Sequence, residues 1–337
     1  MELRKQVSAE ELVYAANVSQ RTSGNTDASV MIKTIMASPT RATKIRKSIA
    51  SKLESKVIVE GGIHAREWIS PAFVTYMIYK TITAPKCNNK EWKKIALTYE
   101  WYFMPVVNPD GYEYSHTEDR LWRKNRNDPS VDINRNFDSA FGTVGVSSYE
   151  YDVTYCGEKP FSEPESVAMG KFIRSHSKDL EYYIAFHSYG QYMIIPYAHL
   201  KTHMENYDEM KTLGDKVKNT IYRRYKTNYY VGTAYDTVGY QTSGVSGCWV
   251  KKTFRVPYVL TFELRDEGEN GFALPPSEIL PTCLETMDGM VTLFKPRVEH
   301  FMKLRPGLVP PNDQNTIVSD TFVILFNILL FLIVRFD

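Results

Sequence analysis

The sequence of 337 residues has few cysteines and almost no net charge. Its four cysteines, Cys87, Cys156, Cys248 and Cys283, form no CxxC pair, which argues against a structural zinc knuckle. Four cysteines in so long a chain also do not build a disulfide scaffold. The formal net charge is +2, without the basic excess of a nucleic-acid-binding domain. We therefore predict that the chain has no nucleic-acid partner.

The two ends of the chain differ from its middle. The first 20 residues, MELRKQVSAEELVYAANVSQ, contain no apolar core of the length that a secretion signal has. An apolar run, FVILFNILLFLIV at 322–334, lies near the other end and follows a polar stretch with small residues. As a helix it would extend only about 20 Å, short of a bilayer span. This order resembles a glycolipid-anchor signal; a buried strand or helix is the alternative.

Between these ends, segments typical of strands alternate with segments typical of helices. Short apolar runs predict buried strands in KVIVEGG (56–62), TYEWYFMPVVNPDGY (98–112, ending in a turn), LEYYIAFHSYG (180–190) and PYVLTFELRD (257–266). Helical spacing of apolar residues predicts helices over 70–82, 163–176, 207–226 and 277–302. This alternation implies a largely parallel sheet that is covered by helices on both faces.

The same pattern predicts three regions along the chain. We expect an atypical, poorly ordered segment over 1–55, because it is rich in small and polar residues with weak apolar periodicity. A single α/β domain should follow over 56–305. Residues 306–337 would form a linker and the hydrophobic tail.

A candidate metal site begins directly after the first predicted strand. His64 and Glu67 lie three residues apart in GGIHAREWIS, and both side chains are suitable zinc ligands. Such a pair taken alone is more often a surface or core pair. His187 is the natural third ligand, because it follows the apolar run YYIAF and so lies at the sheet edge where ligand sites gather. Two histidines and one glutamate form the ligand set of a catalytic zinc.

Two further features have the chemistry that such a site needs. Glu263 lies at the end of an apolar strand, where a carboxylate is costly to bury without a task; a salt bridge with Arg265 is the alternative. The segment DRLWRKNRNDPSVDINRNF (119–137) is rich in arginine, which binds carboxylates through a two-donor fork. A solvated surface is its alternative reading. Within this segment, Asp132 is a candidate hydrogen-bond partner for a ligand histidine.

Seven short motifs occur in this chain in the same order as in a known protein family. The sequence contains, in turn, GGIHAREW, NPDGY, RLWRKNR, DINRNF, FHSYGQ, YQTSG and TFELRD. Together they resemble the carboxypeptidase A/B family of zinc metallocarboxypeptidases, over about residues 56–300. The resemblance implies a three-layer α/β/α fold with a mixed, mostly parallel, eight-stranded sheet. It also implies a monomeric hydrolase that uses one zinc ion to release the C-terminal residue of peptides and proteins.

The resemblance assigns a role to each matching position. Zinc would be bound by His64, Glu67 and His187. The catalytic residues would be Glu263, as general base and then acid, and Arg123, which would polarise the scissile carbonyl. The C-terminal carboxylate of the substrate would be held by Asn134, Arg135 and Tyr240, the last on a mobile segment. The upstream residues of the peptide would approach along Arg66, Arg120 and Tyr189.

The resemblance also locates the pocket for the C-terminal side chain. Gly247 takes the position at the pocket base, where an aspartate would favour basic residues and an arginine acidic ones. The matching wall positions are all uncharged: Ala185, Ile194, Ala198, Tyr235 and Thr261. A neutral, roomy pocket predicts release of aromatic or aliphatic residues. Asp236, close by in sequence, is the residue that would instead give some basic preference.

Three departures from the family pattern are visible. The helix and β-hairpin that usually precede the first strand are not recognisable in residues 1–50, so N-terminal strands would be missing. The usual disulfide near DINRNF has no counterpart, which leaves Cys156 unpaired. The apolar tail is similar to that of the membrane-anchored carboxypeptidase O type, which implies an extracellular or cell-surface location.

Two other functions remain open on the sequence. One is a catalytically impaired homologue that binds C-terminal peptides without cutting them. The other is an amide-bond deacylase on the same scaffold, although the segments NRN and YQTSG argue for a site built around a peptide C-terminus.

Overall fold

The computed structural model describes residues 55–304, and the structural statements below concern this part of the chain. Ser55–Val298 form one compact unit. The predicted poorly ordered segment, apart from Ser55, and the predicted anchor tail lie outside the described residues. Within 55–304, no helix combines the length and the apolar character needed to cross a membrane.

Six strands form one mixed sheet in the described residues. They are β1 (Lys56–Glu60), β2 (Glu100–Met104), β3 (Leu180–Ser188), β4 (Tyr192–Ile194), β5 (Tyr230–Gly232) and β6 (Tyr258–Leu264). Their order across the sheet is β2-β1-β3-β6-β4-β5. Four of the neighbouring pairs are parallel, and β4 runs antiparallel to β6. The predicted mixed, mostly parallel sheet is confirmed, with six strands over residues 55–304 instead of eight.

The helices include all four that the sequence predicts. They are α1 (Ile69–Thr83), α2 (Lys90–Thr98), α3 (Pro109–Thr117), α4 (Pro164–His176), α5 (Tyr207–Tyr225), α6 (Ala234–Thr237), α7 (Ser246–Phe254) and α8 (Pro276–Leu304). Short 3-10 turns lie at Ala84–Lys86, Ile133–Arg135 and Gly271–Ala273. The four predicted helices correspond to α1, α4, α5 and α8, each within two residues of its expected ends.

Helices cover both faces of the sheet, as predicted. On one face, Phe73 of α1 packs against Phe186 of β3, with ring centres 4.6 Å apart. On the other face, Tyr183 of β3 lies in a buried cluster with Trp249 of α7. Neighbouring residues of a strand point to opposite faces, so β3 is buried along its whole length. The three-layer α/β/α prediction is therefore confirmed.

The segment NPDGY begins a helix, whereas the sequence predicted a turn. Strand β2 ends at Met104, and Asn108 caps α3, since its side-chain oxygen accepts a hydrogen bond of 3.0 Å from the backbone N–H of Gly111. Pro109 takes the first helical position, where a missing N–H costs nothing. Sequence analysis also missed β4 and β5, because strands of three residues are too short to show alternation.

Candidate active site

The register of the central strands aligns two predicted site residues. His187 of β3 is the direct neighbour of Glu263 of β6, and we call this pair the His187 row. Two residues earlier on the same strands, Ala185 is the neighbour of Thr261. Because side chains alternate along a strand, all four point to the same face of the sheet. One face therefore carries two successive levels of candidate site residues.

The three predicted metal ligands converge beside the His187 row. His64 and Glu67 follow β1 in one short loop, and His64 Nδ1 lies 2.8 Å from Glu67 Oε1. His187 Nδ1 lies 3.0 Å from Glu67 Oε2 and 3.1 Å from His64 Nδ1. The backbone N–H of Ser188 donates to Glu67 Oε2 at 3.2 Å, which fixes the carboxylate. All three ligand residues are buried, and their ligand atoms lie within 4.8 Å of one another.

This donor set fits zinc. Two imidazole nitrogens and one carboxylate are ligands that Zn²⁺ accepts at catalytic sites. Burial alone would lower the pKa of His187, but Glu67 raises it to about 9. Burial would raise the pKa of Glu67, and the two histidines instead hold it far below its ordinary value. An anionic carboxylate is thus buried against two nitrogens that face each other, which is the arrangement a shared cation stabilises.

Asp132 orients the candidate metal ligand His64 through the ring nitrogen that points away from the other two ligands. Its Oδ1 lies 3.1 Å from His64 Nε2, so Nδ1 is the nitrogen that points to Glu67 and His187. Burial would raise the pKa of Asp132, but Arg123 and further positive groups hold it well below its usual range. A buried carboxylate behind a ligand histidine fixes the ring and increases its basicity. The structure thus shows the contact that the sequence suggested for Asp132.

Arg123 lies between Asp132 and the metal ligands. Its Nε donates to Asp132 Oδ2 at 3.0 Å, and its Nη1 approaches Glu67 Oε1 at 3.5 Å. Burial would lower the pKa of Arg123, but Asp132 and Glu67 raise it. The guanidinium is therefore a fixed positive charge directly beside the candidate metal.

Glu263 has no salt bridge with Arg265, the alternative that the sequence left open. Arg265 instead pairs with Glu278 at 2.6 Å and with Glu285 at 2.5 Å. Burial, helped by the nearby Glu67 carboxylate, raises the pKa of Glu263 to about 8, although His187 and Arg123 lower it. A carboxyl group with such a pKa can accept and return a proton near neutral pH.

Asn134 and Arg135 lie on the 3-10 turn that follows Asp132. The Asn134 side-chain oxygen accepts a hydrogen bond of 3.0 Å from the backbone N–H of Ser246, at the start of α7. Arg135 is buried, and its Nη1 and Nε donate to the backbone carbonyls of Asn134 at 3.0 Å and Gly145 at 3.2 Å. These contacts hold the Arg135 guanidinium in place near the His187 row. Burial lowers the pKa of Arg135, although Asp132 and Glu263 raise it.

The YQTSG segment combines an exposed tyrosine with a fixed end. Tyr240 is 57% exposed, and Gly239 before it has a φ of +79°. At the other end, Gly244 has a φ of +72°, and a Cβ there would collide with the backbone carbonyl of Arg135. The Gly244 N–H also donates to the Ser139 carbonyl at 2.8 Å. The exposed Tyr240 thus lies on a segment whose C-terminal end is attached to the Arg135 turn.

The three residues predicted for upstream substrate gather around one ring. Arg66 lies 4.0 Å over the ring of Phe272, and the Tyr189 ring lies 4.8 Å from it. Arg120 donates to the backbone carbonyl of Phe272 and, at 2.9 Å, to that of Arg66. Sequence reasoning missed Phe272, because no motif marks it.

Three of the predicted pocket residues, Ala185, Thr261 and Ile194, lie two residues along the strands from the His187 row, together with Glu60, which the sequence did not predict for the pocket. Glu60, Ala185, Thr261 and Ile194 are register partners across β1, β3, β6 and β4, and we call them the Ala185 row. A Cβ on Gly247 would lie 3.3 Å from Val259 and 3.7 Å from Thr261. Gly247 thus packs against the sheet beside this row.

The other predicted wall residues lie around the same apolar region. Ala198 lies in a buried apolar cluster with Cys248, and Ile194 packs against that cluster, while Tyr235 is 41% exposed. Asp236 is occupied elsewhere, since its carboxylate accepts hydrogen bonds from Thr233 at the start of α6, with the backbone N–H at 3.1 Å and the hydroxyl at 2.9 Å. The same oxygen, Oδ2, also lies 3.0 Å from His203 Nε2 and 3.1 Å from the Tyr207 hydroxyl.

All four cysteines are free thiols, including Cys156 and Cys248, which are buried.

Glu60 is a member of the Ala185 row that sequence reasoning overlooked. The available signal was the one used for Glu263, a carboxylate at the end of an apolar strand.

Comparison with known proteins identifies relatives. The family model described as zinc carboxypeptidase matches residues 12–289. A zinc carboxypeptidase of Simulium vittatum is 41% identical over 246 residues, which cover 71% of this chain and 80% of that protein. Human carboxypeptidase O is 40% identical over 238 residues, which cover 69% of this chain and only 63% of the relative. A structure of bovine thrombin-activatable fibrinolysis inhibitor with a tick carboxypeptidase inhibitor matches with a TM-score of 0.66 and 33% identity, covering 75% and 84% of the two chains.

Proposed function

The chain belongs to the zinc carboxypeptidase family of hydrolases, and on this premise we propose that it removes the C-terminal residue from peptides and proteins. One observation supports the proposal: the candidate zinc ligands His64, Glu67 and His187 are buried and converge, and Glu263 is the register neighbour of His187. Zinc is the cofactor of this family, and the donor set of the chain fits it.

His64, Glu67 and His187 would hold the zinc ion. When bound there, zinc would supply a Lewis acid that polarises a carbonyl and lowers the pKa of a water molecule. Glu263 would take the proton from the attacking water on its carboxylate and pass it to the leaving amine nitrogen. In the metal-free protein, burial raises the pKa of Glu263, which strengthens its carboxylate as a proton acceptor.

Arg123 and the Arg135 turn would orient the substrate. Arg123 would stabilise the negative charge that develops on the scissile carbonyl, since Asp132 holds its guanidinium rigidly. Arg135, with Asn134 and Tyr240, would bind the free C-terminal carboxylate through charge-assisted hydrogen bonds. This binding selects the last peptide bond, because an internal bond lacks that carboxylate.

The residues around Phe272 would receive the upstream part of the peptide. Arg66 and Arg120 are fixed by cation–π contacts, with Arg66 over Phe272 and Arg120 at 3.6 Å over Trp68. Tyr189 is 37% exposed and offers an aromatic surface beside them. A peptide chain lying here would keep its C-terminus directed towards the His187 row.

The side-chain pocket favours neutral C-terminal residues. Gly247 contributes neither charge nor bulk, and Ala185, Ile194 and Thr261 are uncharged. Burying a charged side chain among such groups is costly unless a partner neutralises it. We therefore expect aromatic or aliphatic residues to be released in preference to basic or acidic ones.

The protein would act outside the cell as a monomer, held at the surface by a glycolipid that replaces the apolar tail at 322–334. Cells that express the full chain should release active enzyme when they are treated with a phosphatidylinositol-specific phospholipase. Activity that stays with the cells after this treatment would argue against the lipid anchor.

The activity can be tested with blocked dipeptides that end in Phe, Leu, Arg or Glu, assayed with and without a zinc chelator. Release of Phe and Leu that the chelator abolishes and added zinc restores is the expected result. Release of Arg or Glu instead would retain the reaction but contradict the neutral pocket. Binding of these substrates without release, by folded zinc-loaded protein, would point to a non-catalytic homologue.

A further inference from the structure

The Ala185 row ends in a carboxylate that the proposed reaction does not use. Glu60 is the last residue of β1 and the register partner of Ala185, so its side chain belongs to the same sheet face as the proposed pocket. Glu60 is fully buried. The row therefore runs from apolar Ile194, through Thr261 and Ala185, to an acidic group.

Only one of the two Glu60 oxygens has protein partners among residues 55–304. Oε1 accepts hydrogen bonds of 2.8 Å from the Tyr183 hydroxyl and from the Ser246 hydroxyl. Oε2 is buried without any hydrogen-bond partner. A buried oxygen without a partner is unfavourable, and such an atom in a native protein usually has an ordered water, an ion or a ligand beside it.

The partners of Oε1 place Glu60 against the pocket base. Ser246 immediately precedes Gly247, and a Cβ on Gly247 would lie 3.9 Å from the Tyr183 ring. Gly247, Tyr183 and Glu60 are thus consecutive neighbours below the pocket. Gly247 has no side chain and that of Ala185 ends at Cβ, so the polar end of the row is formed by the Glu60 carboxyl group with the Tyr183 and Ser246 hydroxyls on its Oε1.

A hydroxyl is the group that satisfies Oε2 in either protonation state. Hydroxyls both donate and accept hydrogen bonds, so one can donate to a carboxylate oxygen or accept from a carboxylic acid. Burial raises the pKa of Glu60, although His187 and its two hydrogen-bond donors lower it, which favours the acid form. A carboxylic acid pairs poorly with the ammonium of lysine, which has no acceptor.

The distance between the two levels fits one side chain. Two residues of a strand separate the His187 row from the Ala185 row, a rise of about 7 Å. A tyrosine held by its carboxylate near the His187 row spans about this length, whereas serine and threonine are too short. Buried tyrosines also require a partner for their hydroxyl.

We propose that Glu60 is a specificity-determining residue that hydrogen-bonds the hydroxyl of a C-terminal tyrosine, so that the enzyme prefers tyrosine to phenylalanine. This inference rests on the proposed carboxypeptidase activity and refines its substrate class. The two are separable, because chelator-sensitive release of Phe tests the activity and the ratio between Tyr and Phe tests Glu60.

The wild-type enzyme tests the proposal with three blocked dipeptides that differ only in the last residue: Phe, Tyr and 4-methylphenylalanine. We expect kcat/KM for Tyr to exceed that for Phe by about tenfold, the effect of one hydrogen bond to a buried group. The 4-methyl substrate, which fills the same space without a hydroxyl, should resemble Phe or be poorer. A 4-methyl substrate as good as Tyr, or a Tyr to Phe ratio near one, would overturn the proposal.

Two variants assign the effect to Glu60. Glu60→Leu should reduce the Tyr to Phe ratio to about one, with its remaining zinc-dependent release of Phe showing that it is folded. Tyr183→Phe is the matched control, because it removes a partner of Oε1 and leaves Oε2 unchanged, so the ratio should stay near the wild-type value. A Glu60→Leu enzyme that keeps the wild-type ratio would overturn the proposal, because the preference for tyrosine would then not depend on Glu60.

Discussion

The His187 row and the Ala185 row share strands and a sheet face, yet their chemistry is opposite. Every group at the His187 level is ionisable, and Glu67, Asp132 and Arg123 surround it with buried charge. At the Ala185 level the side chains are small or apolar until Glu60 is reached. Two residues of strand therefore separate a level suited to bond cleavage from a level suited to side-chain selection.

Because the two rows are separate, a substitution in one row can change which C-terminal residue is preferred without abolishing peptide-bond cleavage. Charges at the His187 level depend on one another, because Asp132 contacts both His64 and Arg123. Substitution there disturbs the metal site as a whole. In the described residues, the Glu60 side chain forms its hydrogen bonds with Tyr183 and Ser246 and not with this network, although its charge acts on the pKa of His187. Substitutions in the Ala185 row should therefore alter mainly which residue is released.

Substitution of Glu263 in the His187 row should cause the largest loss of activity. Glu263→Gln keeps the shape but removes the proton acceptor, so kcat should fall by about 10²–10⁴-fold, the usual contribution of general acid–base catalysis. Zinc content, measured by metal analysis, should remain at one ion per chain. Glu267→Gln, an exposed position on the loop that follows β6, is the control and should retain wild-type activity.

Arg135 would serve both the His187 row and the Ala185 row. It would bind the C-terminal carboxylate of the substrate and so position the last side chain to enter the pocket. Arg135→Ala should weaken inhibition by peptides with a free C-terminus about 10–100-fold, since charge-assisted hydrogen bonds are lost. Inhibition by the same peptides as C-terminal amides should change far less. The exposed Arg126→Ala in the same arginine-rich segment is the control, and equal losses for acid and amide would remove Arg135 from carboxylate binding.

Asp132 tests whether the charges behind the His187 level support the metal. Asp132→Asn keeps the size of the side chain but weakens its hold on His64, and zinc affinity should drop about 10–100-fold. Competition with a chromophoric chelator measures this affinity. Asp138→Asn, an exposed position six residues later, should bind zinc as the wild type does. An unchanged affinity in Asp132→Asn would show that His64 needs no support from behind.

Gly247 tests whether the Ala185 row borders the side-chain pocket. Gly247→Val adds bulk next to Val259 and Thr261, so kcat/KM for Phe should fall about tenfold relative to that for Ala. Zinc content and the rate on the Ala substrate report whether the His187 level is intact. Equal losses on both substrates would place Gly247 outside the side-chain pocket.

The sequence predicted the strands that carry the site residues, but it did not predict how those strands pair. His187 and Glu263 are conspicuous in the sequence because each is a polar residue near the end of an apolar strand. His64 and Glu67 lie in the loop after β1, and only the family motifs around them distinguish the pair from a chance occurrence. Register was not predictable, since motif spacing does not say that His187 pairs with Glu263 or that Ala185 pairs with Glu60.

Other features escaped prediction for reasons of length and context. Helix α7 was missed, because its first residues, Ser246 and Gly247, read as the end of a loop. The cap that Asn108 gives to α3 turned an expected turn into a helix. Phe272 lies in a short 3-10 turn, and only its three-dimensional neighbours, Arg66 and Tyr189, show that it borders the site.

The separation of cleavage from selection is tested most directly by measuring kcat/KM of Glu263→Gln and Glu60→Leu in parallel, on blocked dipeptides that end in Tyr and in Phe. We predict that Glu263→Gln lowers both values by the same large factor and preserves their ratio, whereas Glu60→Leu lowers the Tyr value selectively. A changed ratio in Glu263→Gln, or equal losses on both substrates in Glu60→Leu, would contradict the account.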